Sequence, residues 1–144
     1  FTLEKLWDYK KMLLDKEKLV LAGLNRRKFE LDQKISENLK QSDRLDQDFR
    51  ETLRVGTTAV KIRGFQFQSE QLKRQLETFQ NEKASLKALI GRQMTTVIGL
   101  SKEVCQMETL HDRQREEHRD RMVKAEELRV EEYISAQSVR KKAI

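Results

Sequence analysis

A seven-residue spacing of apolar side chains, in a chain of 144 residues with no proline, constrains what this sequence can become more than any other feature. At ordinary usage a chain of this length carries roughly seven prolines. Each one inside a helix costs about 3 kcal/mol, so their absence permits uninterrupted helix almost anywhere. The repeat is clearest at Ile62, Phe65, Ser69, Leu72, Leu76, Phe79, Lys83, Leu86, Ile90, Gln93, Val97, Leu100, Val104 and Met107, where eleven of fourteen slots are apolar. With 37% hydrophobic residues, about five would fall there by chance. Steps alternating between three and four average 3.5 residues, the period of left-handed supercoiling. One helix cannot hide such a seam, so the spacing predicts a coiled coil.

An earlier segment carries a weaker version. Leu3, Trp7, Leu14, Leu21, Leu24, Leu31, Ile35, Leu45 and Phe49 fill nine of fifteen slots; Lys10, Glu17, Lys28, Asn38, Ser42 and Thr52 fill the rest. Polar core positions lower stability and fix register. Thr2 stands where a helix cap is expected. Stepping in sevens from Phe49 reaches Gly56 and Arg63 rather than Ile62, so the two registers slip by one residue. Val55, Gly56, Thr57 and Thr58 are poor helix formers. The interval reads either as a distortion in a through-running helix or as the turn of an antiparallel hairpin. With no proline or asparagine to assist a turn, the through-running helix is favoured. The fold expected is all-α: an extended coiled coil of one or two long helices with a register break near residues 54–64. Residues 1–54 form a first coiled-coil segment, 55–64 the break or turn, and 65–110 the main segment. Residues 111–144 form a charged helix with a weak second docking segment. Between His111 and Arg121 eight of eleven residues are charged and the seam vanishes. Apolar spacing returns at Met122, Ala125, Leu128, Val130, Tyr133, Ile134 and Val139.

Composition excludes most alternatives. Charged residues make up 38% and aromatics 6%, too polar for a globule of this length. The single Cys105 forms no internal disulfide, and no apolar run approaches a membrane span. A reducing cytoplasmic setting fits. The chain opens on Phe1 and ends on Lys141-Lys142-Ala143-Ile144 without a helix stop, which reads as a segment of a longer polypeptide. Net charge is +6, and residues 61–102 contribute +5 of it, eight basic against three acidic groups. Such a stretch suits an acidic surface such as a microtubule, nucleic acid or an anionic lipid, but the plainer and favoured reading is a solvated helix face with a mild basic bias.

No catalytic or cofactor chemistry is legible. The glycines at 23, 56, 64, 91 and 99 match no phosphate-binding loop. His111 and His118 stand seven apart, whereas helical metal ligands come three or four apart; they read as exposed seam histidines. Carboxylates on helix surfaces are not desolvated and make poor acid catalysts at neutral pH. Lys61-Ile62-Arg63-Gly64-Phe65-Gln66-Phe67 interleaves aromatic and basic residues, a pattern that could stack bases. The heptad gives Phe65 a plainer place in the seam. The sequence therefore predicts no enzyme, no cofactor and no metal.

The partner-binding seam expected is Ile62, Phe65, Leu72, Leu76, Phe79, Leu86, Leu89, Ile90, Met94, Val97, Leu100, Val104 and Met107. Leu89 and Met94 occupy flanking slots where a two-stranded coil usually carries charge. Glu82 and Lys87 stand in the relation of an interhelical pair in a parallel homodimer, whereas Glu103 and Glu108 in the same relation would repel. The region is therefore expected to contact a different chain, a third helix, or both; a different coiled-coil chain with Lys or Arg opposite Glu103 and Glu108 fits better than a second copy, so a hetero-oligomer is favoured.

In its helix-only composition and polar-broken heptads the chain resembles the long coiled-coil proteins of the eukaryotic cytoskeleton, the ciliary and flagellar axonemal type above all. The resemblance implies a structural scaffold or linker that assembles with partner helices, with the microtubule surface a further candidate. The alternative is a basic helical module for nucleic acid or anionic membrane.

Overall fold

The computed structural model describes the backbone of residues 3–143 and the side chains of residues 3–142. The expected cap at Thr2 lies outside the described residues. Two helices account for nearly all of the chain: α1, Glu4–Val55, and α2, Ala59–Ala143. Among the described residues there is no strand.

The helices are separated by Gly56, Thr57 and Thr58. The through-running helix is thus corrected in favour of the hairpin turn. Two local devices make the turn. Gly56 takes φ +104°, a left-handed conformation that a β-carbon disfavours, and its N–H still donates to the Thr52 carbonyl at 3.0 Å. Thr58 then starts α2. Its hydroxyl accepts from the Lys61 N–H at 3.4 Å, and its carbonyl accepts from the Ile62 N–H at 3.2 Å. Glycine closing one helix and threonine capping the next replace the proline or asparagine that the sequence lacks. The one-residue slip of register falls at this turn. Two helices joined by a turn have independent phases, so nothing requires their heptads to join.

The chain divides into two units, Asp15–Ile98 and Phe1–Leu14 with Gly99–Ile144. Within the first, α1 and α2 pair antiparallel: Glu17 meets Gln93, Asp32 meets Lys83, Asn38 meets Leu72, and Phe49 meets Phe65. The core centres on Leu31, Leu86 and Ile90, with Leu21, Leu24, Ile35 and Phe79 packed against it. Leu31, Leu86 and Ile90 contribute roughly 1.5–3 kcal/mol each by burial, and the partly buried residues less. Within the second unit the Lys10 ammonium meets the Glu103 carboxylate at 2.9 Å. The Trp7 ring lies 4.9 Å from that of His111. Here too the partners' numbers rise on one helix as they fall on the other.

Candidate partner-binding surfaces

All fourteen heptad slots from Ile62 to Met107 are shielded from solvent, while the residues between them are exposed. On α1, fourteen of the fifteen slots are shielded; Leu3 is the exception. Of the thirteen expected seam residues, eleven lie on this inward face: Ile62, Phe65, Leu72, Leu76, Phe79, Leu86, Ile90, Val97, Leu100, Val104 and Met107. In the Asp15–Ile98 unit the helix that covers them is the chain's own α1. Leu89 and Met94 are not part of that face and stay exposed.

Five of the polar slots, Lys10, Glu17, Asn38, Lys83 and Gln93, are tied to the facing helix. Asn38 is the most buried polar residue among those described, 3% exposed, and its Nδ2 donates to the Leu72 carbonyl at 3.0 Å and to Gln75 Oε1 at 3.1 Å. Gln93 Nε2 donates to the Glu17 carbonyl at 2.9 Å and to its carboxylate. Lys83 Nζ sits 2.6 Å from the Asp32 carboxylate. A polar pair bonds satisfactorily in only one alignment, so these contacts hold the helices in one register. The complement expected opposite Glu103 is present in the same chain, as Lys10.

The hydrogen bond from Lys83 holds the Asp32 carboxyl below the ordinary aspartate range, against an opposing desolvation effect. A carboxyl whose folded pKa is depressed stabilises the fold above its unfolded pKa and loses that contribution as pH falls through the folded value. Asp32→Asn should therefore melt at a lower temperature than the natural chain at pH 7. The gap should narrow and close as pH drops below the ordinary aspartate value of 3.8. Thermal melts across an acid pH series measure it.

His111 is corrected from the exposed class: it is half-buried beneath Trp7, whose ring also lies 3.8 Å from the Lys11 ammonium. It is the last shielded residue of α2 among the described side chains. His118 and Cys105 are exposed, and no group of three metal-ligating side chains exists among the described residues. Phe65 and Phe67 do not form one stacking platform. Phe65 packs inward on Phe49, with ring centroids 5.1 Å apart, and Phe67 is exposed. An open groove of about 590 Å³ beside them is lined by Leu45, Phe49, Arg63, Phe67 and Lys73 among others.

Beyond His111 every described side chain is exposed. Met122, Val123, Val130, Tyr133 and Ile134 fall within an arc of about 120° at 3.6 residues per turn, interrupted by Glu126, while Leu128 and Val139 lie on the opposite side. That is the width of an apolar face normally turned to a neighbour. The sequence showed apolar residues here but not that the chain leaves them uncovered. No helix among the described residues is long and apolar enough to cross a membrane.

The family model described as "Flagellar FliJ protein" matches residues 1–143. No curated protein and no solved structure gives a match. The match upholds the flagellar part of the resemblance and moves it from the eukaryotic axoneme to a bacterial coiled-coil family. Cytoskeleton, axoneme and microtubule find no support in it. A chain of two long helices paired along heptad seams, matched over 1–143, belongs to the flagellar FliJ protein family.

Proposed function

We propose that the chain is a structural coiled-coil linker in a flagellar complex, joining other flagellar proteins through faces that its own pairing leaves open. The family is one of flagellar coiled coils rather than of enzymes, which supports the flagellar setting and a non-catalytic role. The observation that carries the linker reading is the apolar arc after His111, with Met122, Val123, Val130, Tyr133 and Ile134 between 49% and 64% exposed. An amphipathic helix gains by laying such an arc against a second helix. The partner is a different flagellar chain. Leu89 and Met94 extend the open apolar surface on the paired region.

The test is Val130→Asp with Ile134→Asp, introduced into the full chain in a flagellated host. Both positions are exposed, so the melting behaviour of the purified chain should change by no more than about 0.5 kcal/mol. Association with flagellar proteins and swimming motility should both be lost. Full motility and association in the double variant would remove the arc from the account.

A further inference from the structure

The turn between α1 and α2 has a composition unlike the rest of the chain. Residues 52–69 hold three cations, Arg54, Lys61 and Arg63, and no carboxylate, although one residue in six of the whole chain is acidic. Glu51 and Glu70 mark the edges of this stretch. Four of its apolar residues are open to solvent: Val55 is 77%, Val60 73% and Phe67 63% exposed, with Leu53 at 47%. Seven residues bring a helix back to nearly the same angle, so Val60 and Phe67 share one outward stripe of α2, with Arg63 between them. Ile62 and Phe65 occupy the opposite, shielded face.

We infer that this hairpin tip docks on an anionic lipid surface, with Val55, Val60 and Phe67 entering the headgroup boundary and Lys61 and Arg63 meeting lipid phosphates. Charge complementarity selects that occupant. Arg54 is already paired with Glu51 at 2.7 Å, and Glu70 and Asp46 lie in the groove beside Arg63, so the free cations of the tip are Lys61 and Arg63. Apolar side chains interleaved with these two cations match an interface that is apolar below and negative above. No helix of the described residues is apolar enough to span a bilayer, so the contact is peripheral. The inference goes beyond the linker reading and does not depend on it, because the tip and the arc after His111 share no residue.

Flotation of the full chain with phosphatidylcholine vesicles, with and without phosphatidylglycerol, tests it. The natural chain should float with the anionic vesicles only. Each cation held at an anionic bilayer raises binding about fivefold. Lys61→Glu with Arg63→Glu should therefore weaken flotation at least ~25-fold. Val55→Ser with Val60→Ser keeps the charge and should leave binding that disappears between ~50 and ~200 mM salt. All four positions are exposed, so unchanged melting in both variants would show that the fold is intact. Absence of the natural chain from anionic vesicles, or flotation that ignores the charge reversal, would overturn the inference. So would binding of a single-stranded oligonucleotide through the same cations with no vesicle binding.

Discussion

Replacing Leu86 and Ile90 together by aspartate should abolish most of the helical signal of the purified chain, at every protein concentration. Leu86 is 6% and Ile90 9% exposed, and both touch the Leu31 cluster. The change removes two apolar contributions of roughly 1.5–3 kcal/mol each. It also places two carboxylates, without cationic partners designed for them, in an apolar seam, at several kcal/mol per charge. The combined cost exceeds about 5 kcal/mol, the lower end of the total stability of a domain. Long helices with narrow seams have little else to hold them, because isolated helix is marginal in water. Leu89→Asp is the control. It is adjacent in sequence yet 44% exposed, and should move stability by no more than about 0.5 kcal/mol.

Concentration separates two origins of the seam. Where α1 covers α2 within one chain, the melting temperature of the natural protein is independent of concentration. Where two chains share the seam, it rises with concentration by mass action. Far-UV circular dichroism melts over a hundredfold dilution decide between them. A concentration-dependent midpoint would show that Leu86 and Ile90 meet another molecule in solution.

The heptad made the seam legible residue by residue, because burial on a paired helix follows a period that side-chain chemistry displays directly. Polar residues at Asn38, Lys83 and Gln93 did not obscure it, since the flanking slots held the phase. The identity of the covering helix was not legible. A seam has the same spacing whether its neighbour is another protein or a later part of the same chain. The information lay at the turn, where Gly56 followed by Thr58 is a helix stop and a helix start two residues apart. A one-residue phase slip carries the same meaning once each helix is allowed its own register. The complement of Glu103 was legible as a requirement for a cation, but Lys10 is ninety-three residues away and pairs with it only after the chain doubles back. Trp7 covering His111 belongs to the same class. For the candidate surfaces, the exposed apolar residues were visible in the sequence, whereas their lack of cover required the fold.

Asn38→Asp, an exchange of one amide nitrogen for oxygen, should cost about 2–4 kcal/mol at pH 7 and almost nothing near pH 3. Asn38 is 3% exposed, and both of its bonds use its Nδ2 as donor, to the Leu72 carbonyl and to Gln75 Oε1. A carboxylate has no proton to give either acceptor, and burial penalises its charge. Gln75 is able to turn its amide and donate; the Leu72 carbonyl has no such freedom. The protonated acid regains one donor, so folding favours the proton, and the folded pKa of the introduced carboxyl rises above its unfolded value of about 3.9. Between those two values the folded state binds more protons than the unfolded state, and stability falls as pH rises. The natural chain has no such dependence at this position, and Asp32 acts in the opposite sense by losing stability in acid. The difference in melting temperature between Asn38→Asp and the natural chain should therefore be level above the raised folded pKa, shrink as pH falls below it, and be nearly closed at pH 3. A constant gap across that range would mean that the carboxylate reaches water. The seam at Leu72 would then be looser than its geometry shows, and Asn38 would not be what holds the two helices in register.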